Sequence, residues 1–215
     1  MKRIIFIALT GLLLSSSVLS AAPVIVSGIK FPDKIGYNKK VMYLNGAGIR
    51  TKFFMNIYVA GLYVTNKSKD AEYHINNNEA MTMRLTIISS MLTSQTMQNA
   101  IREGYDRSLN GNVSEIQEQI DLICKLFAIS PTKVGDQYDL NFTPGIGFST
   151  TKNGKSYTYA QFGKFGTGGE TLEGNAVFNA GKNNMLKKAS FGIWLGKNPV
   201  DEGLKEALLG IEDED

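Results

Sequence analysis

Arg50 makes the clearest chemical demand in this sequence. It follows Gly46 and Gly48 and precedes the apolar run Ile57 to Val64. A guanidinium keeps its charge in apolar surroundings and asks for an anion. No Asp or Glu occurs between Asp33 and Asp70, so no carboxylate is local. Either a distant acid such as Glu173 folds over it or a ligand carboxylate binds it; otherwise the side chain snorkels to a sheet edge. If Arg50 is an unpaired buried cation, Arg50→Ala leaves the empty protein as stable or more so. Tyr58 and Tyr63 are an odd number of residues apart, so on a strand they face opposite sides and one can share a cavity with Arg50. Each otherwise fills core space with its hydroxyl bonded.

Other reactive groups are sparse. Cys124 lies in Leu122-Ile123-Cys124-Lys125-Leu126, where a thiol behaves as a small buried hydrophobe. The single histidine, His74, reads as exposed and uninvolved in a polar helix or turn. One cysteine excludes an intrachain disulfide, and one histidine excludes a His-rich zinc site. There is no HExxH, nucleophile elbow or P-loop, and Gly163, Gly166, Gly168 and Gly169 lack dinucleotide spacing. Scattered acids define no glycosidase pair. No cofactor or metal is expected. The formal charge of +3 includes Lys2 and Arg3, so the rest of the chain has no basic excess for nucleic acid. With 215 residues, 43% of them hydrophobic, the chain can bury a core without a metal or disulfide staple.

Lys2-Arg3, the apolar Ile4 to Leu14 and the small-residue stretch Ser15 to Ala22 form a tripartite leader. The apolar run is shorter than the roughly 20 residues of a membrane span. A signal peptide is expected over residues 1–21, followed by one domain over 22–215 with a short acidic tail, Glu212 to Asp215. No later segment is apolar enough to span a bilayer, so a soluble periplasmic or otherwise exported product is expected.

The elements that must position Arg50 follow from periodicity. Val24 to Val26 reads as a strand, and Lys30 to Asn38, with Pro32, Asp33 and Gly36, as a turn region. Val41 to Leu44 is extended, Asn45 to Gly48 interrupts it with a bulge or close approach, and Ile49 to Phe54 continues it. Ile57 to Val64 is a central strand covered on both faces. Ser68 to Asn78 is a short helix, and Met81 to Ser89 a strand with one apolar face. Thr93 or Ser94 caps a helix carrying Met97, Ile101 and Tyr105. After Asn110-Gly111-Asn112, a Ser114–Gln117 capping box opens a second helix carrying Ile116, Ile120, Ile123 and Phe127. Val134 to Phe142 alternates imperfectly as a strand. Phe148 to Thr151, Asn153-Gly154 and Tyr157 to Ala160 form a hairpin. Asn183 to Leu195 is helical; Asn198 caps and Pro199 starts a last helix that Gly210 closes. Strands, paired helices, strands and helices in that order make an α+β fold with an antiparallel sheet.

On these residues the chain resembles the chalcone isomerase-like superfamily, in particular its exported bacterial branch. The resemblance rests on Leu44 to Arg50, the strand Ile57 to Val64, Leu92-Thr93-Ser94, Phe142 to Gly145, and Phe191 to Gly196 with Pro199-Val200 and Leu204 to Gly210. It spans roughly residues 24–210. It implies an open-faced β-sandwich, a large antiparallel sheet packed against helices with a cleft between. Family enzymes close a chalcone to a flavanone with an arginine, threonine, tyrosine and asparagine around the reactant, whereas other members bind fatty acids. The family arginine matches Arg50, the strand threonine falls at Tyr58, the helix tyrosine at Met97 and the asparagine at Gly104, beside Tyr105. The last polar role falls near Glu173. Arg50, Tyr58, Met97, Tyr105 and Glu173 are the candidate ligand-binding set.

Met97 replaces a phenol with a polarisable wall, and Tyr58 adds bulk to the cleft floor. One cation in an apolar cleft suits an amphipathic carboxylate. The expected function is therefore an exported, non-catalytic binding protein for a small apolar acid such as a fatty acid. The alternatives are an intramolecular lyase, chalcone isomerase-like, on an unknown substrate, and a structural or interaction role.

Overall fold

The computed structural model describes residues 22–128, 130–157 and 183–211. The leader, the glycine-rich stretch after Gln161 and the acidic tail lie outside the described residues, as do Glu173 and the hairpin's last residues before Ala160. Strands β1 (Val24–Val26) and β2 (Ile29–Phe31) form a separate hairpin. Among the described residues the main sheet has seven antiparallel strands in sequence order. These are β3 (Lys34–Tyr37), β4 (Lys40–Lys52), β5 (Met55–Val64), β6 (Met81–Ile87), β7 (Gln137–Thr143), β8 (Gly147–Lys152) and β9 (Lys155–Tyr157). The helices are α1 (Ala71–Asn76), α2 (Ser94–Ser108), α3 (Gln117–Ala128), α4 (Asn183–Leu195) and α5 (Glu202–Leu209).

Strand β5 is covered on both faces, as its β-branched and aromatic content implies. Tyr58, Ala60, Leu62 and Val64 face the helices in the larger core. Val59 and Tyr63 face the opposite side with Phe31 of the β1–β2 hairpin. Gly61 permits that contact, because a Cβ there would lie 2.6 Å from the Phe31 ring. Strand β6 shows the expected period of two: Met81, Met83, Leu85 and Ile87 join the larger core. Thr82 and Arg84, on its other face, meet β7 across the ladder. Thr82 Oγ1 donates to Asn141 at 2.7 Å, and Arg84 pairs with Asp139 through two bonds of 2.8 Å.

Several expectations need correction. Residues 30–38 hold the end of β2 and all of β3, because the turn-forming Pro32 and Asp33 separate two short strands rather than opening a long loop. The bulge expected around Asn45 is present. Strand β4 runs unbroken for 13 residues, with the register shift between Leu44 and Gly46 absorbing one bulged residue, Asn45. Its extension stops at Lys52, and Phe53-Phe54 form a turn. Ser114 forms no capping box: a 3-10 turn over Ser114–Ile116 leads directly into α3, and no side chain caps it. The last helix is capped by Asp201, not Asn198. His74 is buried rather than exposed, its Nε2 at 2.8 Å from the Ser68 carbonyl. Burial lowers its pKa, so the neutral ring donates that bond.

The helices seat on this frame through named contacts. Thr93 caps α2 with a reciprocal box to Thr96. Asn45 ties three segments together: its amide donates to the Ser68 and Leu208 carbonyls at 3.0 and 2.9 Å and accepts from the Ser68 N–H at 2.9 Å. Gly46 and Gly48 let α5 approach the β4 backbone directly. Lys187 of α4 buries its ammonium against α1, donating to the His74 carbonyl at 2.9 Å and to the Asn77 side chain at 3.0 Å. Burial pushes its pKa down to about 8.

Candidate functional site

A cavity of about 280 Å³ lies between the β4–β5 end of the sheet and helices α2 and α4. Its wall is apolar: Ile57, Leu85, Met97, Ile101 and Ile193 line it. Helix α2 supplies Met97, Ala100 and Ile101, then Arg107 further along, at spacings that keep them on one side. Strand β5 supplies Tyr58, which pairs across the sheet with Arg50 of β4.

Polar chemistry concentrates at that pair. Trp194 Nε1 donates to the Tyr58 hydroxyl oxygen at 2.9 Å. The hydroxyl's own hydrogen has no acceptor among the described residues. Burial pushes the Tyr58 pKa up to about 12, so the phenol remains a proton donor at neutral pH. Arg50 Nη1 donates to Asp201 Oδ2 at 2.9 Å and to the Thr51 carbonyl. Asp201 also accepts from the Thr51 N–H at 3.3 Å and, through Oδ1, from the Leu204 N–H at 3.0 Å, which caps α5. Arg107 also lines the cavity, and its guanidinium makes no ion pair or hydrogen bond among the described residues. Arg50, Asp201 and Arg107 all act electrostatically on the Tyr58 hydroxyl. Two guanidinium groups and one carboxylate leave a net charge of +1 around an uncommitted O–H, the complement of one monoanion. Glu103 and Lys52 also line the cavity.

The structure brings Arg50, Tyr58 and Met97 into one cavity. Tyr105 does not reach it. Its hydroxyl lies 2.6 Å from Ser190 Oγ in the core between α2 and α4, and burial raises its pKa. Gly104 is also outside the cavity: a Cβ there would lie 2.9 Å from Ile193, so the glycine serves the α2–α4 contact. The expected distant partner of Arg50 is Asp201 of the last helix cap, and Arg50 is accordingly not an unpaired cation. Cys124 is buried as expected, its thiol pushed up to about 11 by desolvation. Sequence reasoning missed Arg107, Trp194 and Asp201 as parts of the site. Arg107 was signalled by its helical phase with Ala100, two turns earlier on the same face. Asp201 was signalled as a capping residue just before Glu202 and the apolar Leu204 and Leu208. Among the described residues, no group of His, Cys, Asp and Glu could hold a metal ion.

An antiparallel sheet covered by helices, with an apolar cleft and a net-positive polar cluster at its edge, is an open-faced sandwich. The chain belongs to the chalcone isomerase-like family, whose model matches residues 23–168 and 166–210. Its fold is similar to that of a fatty-acid binding protein of Arabidopsis thaliana, with a TM-score of 0.63 and 19% sequence identity. The likeness covers 87% of this chain and 95% of that one. No curated protein matches the sequence.

Proposed function

We propose that this protein is an exported, single-domain, non-catalytic binding protein for a small apolar carboxylate such as a fatty acid, held in the Tyr58–Arg50 cleft. The observation that carries this reading is the uncommitted Tyr58 hydroxyl hydrogen, on an oxygen that accepts from Trp194, beside a net-positive cluster on an apolar wall. A ligand carboxylate there would accept from Tyr58 and from the guanidinium N–H groups that Asp201 leaves free. Each tail methylene buried along Ile57, Met97 and Ile101 would contribute roughly 0.8 kcal/mol. The cavity sits at the lower edge of the about 300–1,000 Å³ usual for ligand sites, which favours a short or medium chain. The fatty-acid binding described for the structural neighbour accords with this reading.

An intramolecular lyase activity is the lesser reading. Met97 presents a thioether where the resemblance expects a phenol, and Gly104 faces Ile193 rather than the cavity. The polar set implied for flavonoid closure is therefore not assembled from these positions.

Titration calorimetry with medium-chain fatty acids on wild type and Tyr58→Phe tests the binding reading. The phenol-to-carboxylate hydrogen bond contributes about 1.5–3 kcal/mol, so Y58F should bind roughly 10- to 100-fold more weakly. Absence of binding by wild type, or equal binding by Y58F, refutes the assignment. Export is tested separately by N-terminal sequencing of protein recovered outside the cytoplasm. The chain should begin near Ala21, and recovery of Met1 on a membrane-retained species would remove the exported reading.

A further inference from the structure

Among the described residues, four hairpins close through two-residue loops with both residues in the left-handed region. Three use the residues that such turns favour or tolerate: Ser27-Gly28 (φ 48° and 78°), Asn38-Lys39 (45° and 61°) and Asn153-Gly154 (51° and 75°). The fourth, between β4 and β5, is Phe53-Phe54 at φ 51° and 62°. Bulky aromatic residues at positive φ are strained, and their rings gain little burial in return. Phe53 is 78% exposed and Phe54 fully exposed. The backbone geometry does not require them, since Asn153-Gly154 achieves the same turn in the same sheet.

The tip lies at the mouth of the cleft. Phe53, Met55, Met91 and Lys52 line the cavity, and Phe54 projects beyond them. Met55 and Met91 are themselves exposed. Lys52 Nζ stands 5.5 Å from the Phe53 ring centre, placing a cation at the base of the aromatic wedge. Two rings present about 150–250 Å² each. That falls short of the roughly 800 Å² per partner of a stable protein interface. A narrow aromatic wedge with a lysine at its base instead suits the boundary between headgroups and acyl chains.

We propose that the Lys52–Met55 tip docks the protein on a lipid bilayer, with Phe53 and Phe54 inserted among the acyl chains and Lys52 level with anionic headgroups. Docking brings the mouth of the cleft to the reservoir in which apolar acids dissolve. This role for the tip rests on the ligand reading above, whereas the docking itself does not.

The test is co-sedimentation of the full chain, without added fatty acid, with vesicles of phosphatidylcholine and of phosphatidylcholine containing phosphatidylglycerol. Phe53→Asn/Phe54→Gly copies the Asn153-Gly154 turn. It should weaken vesicle partitioning at least tenfold, while its melting temperature rises by roughly 2–6 °C as strain is relieved. Lys52→Gln should lose about fivefold on the anionic vesicles only. The segment before residue 22 is common to every arm, so it cannot produce these differences. Wild type that does not sediment with vesicles, or a double variant that sediments equally, overturns the proposal. Tip-dependent self-association in lipid-free sedimentation velocity also overturns it, in favour of a second copy. Vesicle binding without fatty-acid binding in calorimetry would uphold docking and defeat the ligand reading alone.

Discussion

Arg50→Ala should weaken medium-chain fatty-acid binding by about 2–5 kcal/mol, roughly 30- to several-thousand-fold. It should also destabilise the empty protein, by about 1–2 kcal/mol, because Asp201 loses its 2.9 Å partner while both side chains are mostly shielded from water. The sign of the second effect reverses the expectation for an unpaired cation, chiefly because of Asp201. Asp201→Asn separates the two roles. Asparagine still caps a helix, but it withdraws the negative charge that competes with a ligand for Arg50. D201N should therefore bind the acid as tightly as wild type or several-fold more tightly, with a small loss of stability. Calorimetry paired with chemical denaturation reads both quantities. Unchanged affinity in R50A alongside lost stability would make Arg50 a structural ion-pair residue and leave the cleft without its anion hold.

The second large effect belongs to Gly46→Ala. A Cβ at this position would lie 2.1 Å from the Ala207 carbonyl oxygen and 2.7 Å from that of Leu208. Both are backbone atoms of the α5 end, so no side-chain rotation relieves the clash and the helix must move. A loss of about 2–4 kcal/mol is expected, with a fall in melting temperature of roughly 5–15 °C. Gly36→Ala is the control: its nearest heavy atom would be 4.0 Å away, so its stability should stay close to wild type. A Gly46→Ala protein as stable as wild type would show that α5 does not rest on the β4 bulge in solution.

Much of the frame was readable because local signals and tertiary demands agree. Ile57 to Val64 is β-branched and aromatic, and it is a strand covered on both faces. Thr93 caps α2, and Gly210 ends α5 in the left-handed conformation. The antiparallel α+β arrangement and the membership of the chalcone isomerase-like family followed from such segments. Short strands were lost where turn formers dominate, as with Pro32, Asp33 and Gly36 around β3. Arg50 and Tyr58 could be placed together because they are neighbours across one hairpin. Asp201 could not, because 151 residues separate it from Arg50 and nothing local marks the contact. Tyr105 was misplaced by a fraction of a helical turn, enough to exchange the cavity for Ser190. His74 looked exposed because its sequence neighbours are polar, whereas the Ser68 carbonyl satisfies its ring inside the fold.

Asp201 belongs to two structures at once: one oxygen closes the first turn of α5 and the other holds the arginine at the cleft. A carboxylate arriving at Arg50 places like charge beside Asp201 and draws on the same guanidinium. Occupancy of the cleft by such an acid would thereby be coupled to the fraying of a helix whose far end is pinned by Asn45. Amide hydrogens of the first turn of α5 should then exchange faster in the loaded protein, even as those of β5 beneath the ligand slow. The C-terminal helix would act as a gauge of whether the cleft is full.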